Sequence, residues 1–406
     1  MTAGSISIRE SQTTAELVAT HNLLSEVFGS LPPAEEQQQR ALAWRDRRMA
    51  WNELMPSSTR SAFRGEICVG SYQLDIRTLQ VGGALIPVGC IGAVATHPHY
   101  RNQGVASALM RDAEAVARSQ GIGLLLLHGI GNFYHRFGYT NIANLIAHQI
   151  ERSAVLALPR SDCLVRPATI ADSESLLALY RRHQHCFVRT PAIQAALLHG
   201  WIAGGRPPLL AVDGAGVVCG YLLPPYTDEP LRVPEVAADT WDAAVALLQW
   251  HAQQQPSDSH EPLCWVMAQQ SQTYYMLAEH VRVVSRIESI PNAEWMGRIG
   301  SLPVLMQSLL LAWQQHGEHP EALRWVIDDT TTELNYRDRQ LVIEPIGPDV
   351  ASIRVSQASF TRMLFRYRTV AWEARQPGNT IPPQLIPYLE RLFAANALFV
   401  PESDGF

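Results

Sequence analysis

The chain reads as an α/β (α+β) protein of mixed sheets flanked by helices, and three observations carry that reading. From Ile91 to Leu127 an apolar run, a glycine-bearing turn, an amphipathic segment and a second apolar run follow in the order strand, turn, helix, strand. Between Ala62 and Ala93, β-favouring runs return through a Gly82-Gly83 turn, which is the pattern of an antiparallel meander. The pattern restarts near Leu164-Val165-Arg166-Pro167 and again after Ile290-Pro291-Asn292, dividing the 406 residues into units of 1–157, 158–289 and 290–406.

Ser5 to Arg9 is a short first strand, and Thr13 to Phe28 a helix with Leu17, Leu24, Val27 and Phe28 on one side. Gly29-Ser30-Leu31-Pro32-Pro33 breaks it, and Ala34 to Trp51 forms a second amphipathic helix. Phe63 to Tyr72, Leu74 to Arg77, Leu85 to Val88 and Ile91 to Ala95 are strands. The next helix carries its apolar stripe at Val105, Leu109, Ala113 and Val116 and is stopped at Gly121, a left-handed C-terminal glycine. Leu124 to Leu127 is a second buried strand.

In the second unit Pro208 to Tyr221 is a hairpin, and Val233 to Asp239 leads into a helix over Trp241 to His251. That step has no glycine-bearing anion turn, so this unit is expected to bind no coenzyme. His183, His185 and Cys186 lack a second ligand pair, and no metal is expected. The third unit opens with Trp295 to Ile299 and a helix over Leu302 to Gln315, apolar at Leu305, Leu309 and Trp313. Strands at Leu323 to Ile327 and Gln340 to Pro345 and a helix capped by Ser356 follow.

Composition narrows the function classes. A hydrophobic fraction of 47% with 17% charged residues is that of a globular protein and not of a disordered one. The net charge of −6 argues against a nucleic-acid footprint. All 32 basic residues are arginine. Six scattered cysteines without a C-x-x-C pair read as reduced thiols. No apolar run approaches the ~18 residues of a membrane span, and the first twenty residues carry no apolar signal core. A cytoplasmic location, with no membrane partner, is the expectation.

The chemistry lies in the turn Arg101-Asn102-Gln103-Gly104-Val105-Ala106-Ser107. A helix that begins there leaves its first N–H groups unpaired and aims the positive end of its dipole outward. A glycine lets an anion reach that backbone, so the turn is a phosphate cradle. It is neither the dinucleotide pattern G-x-G-x-x-G nor the P-loop G-x-x-x-x-G-K-[ST]. Together with Val94-Ala95-Thr96-His97-Pro98-His99-Tyr100 before it and Asn132-Phe133-Tyr134-His135-Arg136-Phe137-Gly138-Tyr139 after it, Arg-x-x-Gly-x-Ala resembles the turn of the GNAT acyltransferases.

That resemblance implies an N-acetyltransferase with acetyl-CoA as co-substrate and no metal. Arg101, Asn102, Gln103, Gly104, Val105, Ala106 and Ser107 would hold the diphosphate, and backbone groups of Val94, Ala95 and Thr96 the pantetheine arm and thioester oxygen. Gly129 and Ile130 belong to the flexible His128-Gly129-Ile130-Gly131 stretch where the second strand splays from the first. Tyr134 would be the general acid that protonates the departing thiolate. Tyr139 is read as a packing residue. Glu26, Phe28 and Trp44, with Trp51, lie on the two helices that roof the acceptor-amine site in GNAT folds.

Two tandem GNAT-like units, the second degenerate, followed by a unit that resembles the sterol-carrier-protein fold, is the layout of the Eis (enhanced intracellular survival) family. The resemblance implies an amine acceptor of the aminoglycoside or peptidic kind, a hexamer, and a catalytic terminal carboxylate, here that of Phe406. The acids of the first two helices are spread out, so nothing in them demands a polycationic substrate. Two other readings remain: an acyl-CoA sensor without turnover, and lipid binding by the last unit.

Overall fold

The computed structural model describes residues 6–183, 186–226, 229, 231–256, 258–316, 319, 322–337, 340–394, 398–401 and 404–405. Contacts divide the chain into two compact units. One holds Met1–Ala143 with Ile290–Leu398, and the other holds Asn144–Ser289 with Phe399–Gly405. The boundary expected at 157 thus falls earlier, and the segment expected to stand alone from 290 groups with the first unit.

The first unit opens with β1 (Ser7–Arg9), α1 (Thr14–Phe28) and α2 (Gln37–Leu54). The meander β2 (Ser57–Arg64), β3 (Ile67–Val81) and β4 (Ala84–Thr96) follows. Phe63 to Tyr72, expected as one strand, is broken by a left-handed turn at Gly65 (φ 61°). The runs beginning at Leu85 and Ile91, expected as two strands, are one, reached through Gly82 and Gly83 at φ 58° and 128°. Then come α3 (Val105–Ser119), β5 (Leu124–Gly129) and β6 (Thr140–Asn141).

Helix α3 buries Val105, Leu109, Met110, Ala113 and Ala117, a stripe at helical spacing. Gly121 (φ 64°) follows its end, with the Ile122 N–H donating to the Ala117 carbonyl at 2.9 Å, the left-handed stop expected from sequence. This helix packs on one face of the sheet with Leu125, Leu127, Tyr134 and Tyr139. On another cluster, Leu23 and Leu24 of α1 pack with Phe63, Cys68 and Ala95.

The second unit contains β7 (Leu145–Ile150), α4 (Arg152–Leu156), β8 (Leu164–Pro167), α5 (Ser173–His183), α6 (Pro191–Ala203), β9 (Leu209–Val212) and β10 (Val218–Leu222). It continues with β11 (Arg232–Val233), β12 (Val236–Ala238), α7 (Trp241–Gln253), β13 (Leu263–Trp265), α8 (Gln272–His280) and β14 (Val283–Glu288). Its sheets run β12-β10-β9-β8 and β11-β13-β7-β14. The strand–helix order of the first unit is repeated, so the chain carries two units of like build in a mixed α/β fold.

The chain then returns to the first unit. β15 (Glu294–Ile299) enters the first sheet, whose order is β1-β2-β3-β4-β5-β15-β6. The sequence pattern places Trp295 to Ile299 at the start of a separate unit and marks no strand at β7; in the structure β15 joins the first sheet. The remainder is α9 (Leu302–Trp313), β16 (Ala322–Ile327), β17 (Thr330–Arg337), β18 (Gln340–Ile343), β19 (Ser352–Val355), α10 (Gln357–Leu364), α11 (Val370–Glu373) and α12 (Ile386–Leu392), with sheet order β18-β17-β16-β19. No helix among the described residues is long and apolar enough to cross a membrane.

Candidate active site

The site is built where two parallel strands part. β4 and β5 pair from Val88↔Leu124 to Ile91↔Leu127 and no further, although β4 continues to Thr96 and β5 to Gly129. The far edge of β4 beyond Ile91 therefore faces an opening. On its other edge β5 is held along its whole length by β15, from Leu124↔Ile299 to Gly129↔Glu294. The splay expected from sequence is present, but its cause differs: His128 and Gly129 are paired strand residues and not a flexible loop. A Cβ on Gly129 would stand 2.7 Å from the Met296 sulfur, so a larger residue there would displace that side chain. Ile130 follows, largely exposed.

Within the opening, β4 carries one extra residue. Its register with β3 runs to Gly92↔Gln73 and resumes at Ala95↔Ser71, and Ala93 adopts φ 48°. Such a bulge bends the strand and re-aims its backbone groups. Val94, Ala95 and Thr96 thus lie together on the strand end that borders the opening, where unpaired backbone groups can meet a ligand with an extended polar arm.

The anion cradle follows. Gly104 is the N-cap of α3 at φ 81°, with no side-chain cap, and a Cβ built there meets nothing within 4 Å. The first intrahelical bond runs from the Ala108 N–H to the Gly104 carbonyl at 3.0 Å, so the N–H groups of Val105, Ala106 and Ser107 have no partner within the helix. Asn102 is also left-handed at φ 59°, giving the alternating backbone of an anion-binding nest. Arg101 and Asn102 are exposed. The Gln103 side chain is already engaged: its amide donates to the His99 carbonyl at 2.9 Å and accepts from Arg64 at 2.8 Å. Gln103 therefore braces the turn, and Val105, buried beneath the helix, contributes backbone only.

Tyr134 opens a single turn, Tyr134–Phe137, ended by Gly138 at φ 80°. Its ring packs edge-on against Phe133 and lies 6.2 Å from Tyr139. Burial raises the Tyr134 phenol to about 12, higher than an ordinary tyrosine. The group stays protonated across physiological pH and is a stronger hydrogen-bond donor than proton releaser. Tyr139 is fully buried with its hydroxyl unpartnered, and burial pushes its phenol up as well.

Glu26 and Phe28 are exposed on the last turn of α1. Trp44 is half-buried, packs against the Leu23–Phe63 cluster, and lies 5.8 Å from the His21 ring. It lines a cavity of about 350 Å³ with Glu10, Thr13, Leu17, Arg48 and Asn52. That cavity meets the first turn of α1, so the structure does not gather the three acceptor candidates into one pocket. Phe406 lies outside the described residues.

Two interactions had no sequence signal, because each joins segments far apart in the chain. Arg298 of β15 pairs with Glu114 of α3 and donates to the Phe137 carbonyl at 2.6 Å, tying the Tyr134 turn to the helix. Glu294 pairs with His128 at 2.6 Å, at the open end of β5.

Residues 7–142 match the model of the acetyltransferase (GNAT) domain. The chain has the fold of a probable N-acyltransferase from Enterococcus faecalis V583, with a TM-score of 0.72, 16% identity, and 95% and 96% of the two chains covered. A GCN5-related N-acetyltransferase from Kribbella flavida gives a TM-score of 0.72 at 17% identity, covering 99% and 100%. Eis1 from Mycobacterium abscessus gives 0.65 at 16%, covering 99% and 100%. No protein of curated function matches the chain in sequence. The segment that bears the splay and the cradle is thus the one that matches the GNAT acetyltransferase domain model.

Proposed function

We propose that this chain is an acetyl-CoA-dependent N-acetyltransferase that moves an acetyl group to a small or peptidic amine by direct attack in a ternary complex. The observation that carries the reading is the uncapped, open Gly104 turn beside the parted strands β4 and β5. A diphosphate would sit on the N–H groups of α3 with Arg101 and Asn102, and the pantetheine arm would run along Val94 to Thr96 toward Gly129 and Ile130. There the backbone would meet the thioester oxygen as it gains charge.

The amine nitrogen attacks the carbonyl carbon, the C–N bond forms and the C–S bond breaks. Tyr134 donates its hydroxyl hydrogen to the departing sulfur and is reprotonated from the nitrogen that has become an amide. With its phenol near 12, above an ordinary thiol near ~8.5, transfer to the sulfur is uphill on its own and is completed by the proton that the nitrogen gives up. The Eis resemblance adds the Phe406 carboxylate as a group that holds the cationic amine, a hexameric assembly and a sterol-carrier-like last segment. A cytoplasmic location is proposed on the scattered cysteines, and Glu26, Phe28 and Trp44 are proposed as acceptor contacts on the GNAT resemblance.

The test is coenzyme A release from acetyl-CoA with a panel of amines, aminoglycosides included. Turnover is expected with at least one amine, and Tyr134→Phe is expected to lower it by about 10²-fold, the lower end of acid–base help. Tight acetyl-CoA binding without turnover on any amine would favour the sensor reading.

A further inference from the structure

We infer that His128 is the general base for the acceptor amine and that Glu294 is the positioning residue that orients it; this rests on the acetyl-transfer reading above. His128 stands next to the last residue of β5, past the final β4–β5 pair at Ile91↔Leu127, and so borders the opening where the thioester lies. Its side chain is half-exposed, accessible to an incoming amine. Strand alternation places Leu125, Leu127 and Gly129 toward α3, where a Cβ on Gly129 would meet Tyr134. His128 therefore points to the opposite face of β5. The group that serves the leaving sulfur and the group that serves the entering nitrogen stand on opposite sides of the parted sheet.

Glu294 is bent out of its strand pattern to reach the imidazole. It is paired opposite Gly129, so regular alternation would aim it toward α3, as it does Met296 and Arg298. Its backbone is instead left-handed, φ 61°, a conformation that glutamate rarely adopts, and its carboxylate meets His128 Nε2 at 2.6 Å. A polar lattice enforces the turn. Asn292, also left-handed, donates its side-chain amide to Asn132 Oδ1 at 3.0 Å, while the Asn141 amide donates to the Ala293 carbonyl at 2.6 Å. Asn132 lies two residues before Tyr134, so one lattice fixes the loops that carry both groups. Trp295, opposite His128 in register, covers the imidazole edge-on at 5.3 Å.

With Nε2–H donated to Glu294, Nδ1 is the nitrogen left to accept a proton. The amine arrives as ammonium, gives one proton to Nδ1, and attacks with the freed lone pair; His128 then releases that proton to water. The electrostatic surroundings are simple. β4 offers no ionisable residue from Ile91 to Thr96, β15 offers Glu294 and Arg298, and Arg298 is committed to Glu114 of α3 on the other face.

The experiment measures pH–rate profiles of the full chain, intact and as His128→Gln and Glu294→Gln, with thermal unfolding of each. His128→Gln is expected to lower kcat about 10²-fold or more, leave the KM for acetyl-CoA unchanged, and abolish the acid limb of kcat/KM. Glu294→Gln leaves the imidazole without the partner that orients it, so kcat is expected to fall at an unchanged KM for acetyl-CoA while the fold persists. An acid limb that survives His128→Gln overturns the inference and leaves the acetyltransferase standing. So does a Glu294→Gln change that moves unfolding alone. Absence of turnover in the intact protein overturns both readings together.

Discussion

The two GNAT-like units begin alike and end differently. In the first, Arg9 at the end of β1 forms a two-point bond with Glu16 in the first turn of α1, at 2.7 and 2.6 Å. In the second, Arg166 of β8 does the same with Asp172 just before α5, at 2.9 and 2.7 Å. Each carboxylate also accepts a backbone N–H, from Gln12 and from Thr169 respectively. The strand-to-helix entry is therefore built on one chemical plan in both.

At the later strand-to-helix step the plans part. α3 has Gly104 as its cap and no side chain on its N–H groups. α7 has Thr240, whose hydroxyl accepts from the Ala243 N–H at 3.2 Å. The strand before each helix differs in the same sense. β4 borders an opening past Ile91, whereas the N–H of Ala238 at the end of β12 donates to the buried Thr273 hydroxyl of α8 at 2.9 Å. One unit leaves its polar backbone open; the other satisfies it from its own chain. The second unit thus lacks the open backbone on which the coenzyme site proposed for the first unit rests, because its cap is filled.

Transplanting a capping carboxylate into the first unit tests this most severely. Gly104→Asp places an acceptor on the free N–H groups and a negative charge where the diphosphate is proposed to sit, and aspartate tolerates a left-handed φ better than most residues. Acetyl-CoA affinity is expected to fall about a hundredfold, ~2.7 kcal/mol, in calorimetric titration. Unchanged affinity would mean the cradle is not the diphosphate site.

The converse change belongs to the second unit. Thr273→Val keeps the shape but leaves the Ala238 N–H buried without its partner, a loss of about 1–3 kcal/mol in denaturant unfolding. Acetyl-CoA binding and turnover are expected to stay as they are. A drop in acetyl-CoA affinity would show that the second unit is not self-contained at this step.

How much of this was legible follows the range of each signal. The α3 stripe, the Gly121 stop and the Gly104 cradle are local, and local spacing predicted them. The join of β15 to β5 was not legible, because an apolar strand announces itself but not its neighbour. His128 illustrates the consequence. As part of His128-Gly129-Ile130-Gly131 it read as flexible linker, and only pairing with Trp295 and Glu294 makes it a fixed strand residue. The Gln103 side chain was misplaced for a similar reason, since its partner Arg64 comes from β2.

The smallest effect concerns what the two units share. Arg9 and the Gln12 N–H hold the Glu16 carboxyl at about 2, below its ordinary range. A carboxyl whose pKa is lower folded than unfolded contributes stability that is full above the unfolded value, about 4.5, and fades as pH falls toward the folded one. The stability difference between intact protein and Glu16→Gln is therefore expected to be level above pH 5 and to shrink through the window from about 4.5 to 2. Because the pair lies at the surface and only partly buried, the difference should be small and should diminish further in high salt. Asp172, held down by Arg166, should give the same sign in Asp172→Asn. Opposite signs at the two positions would show that the shared entry is a likeness of geometry without a shared energetic role.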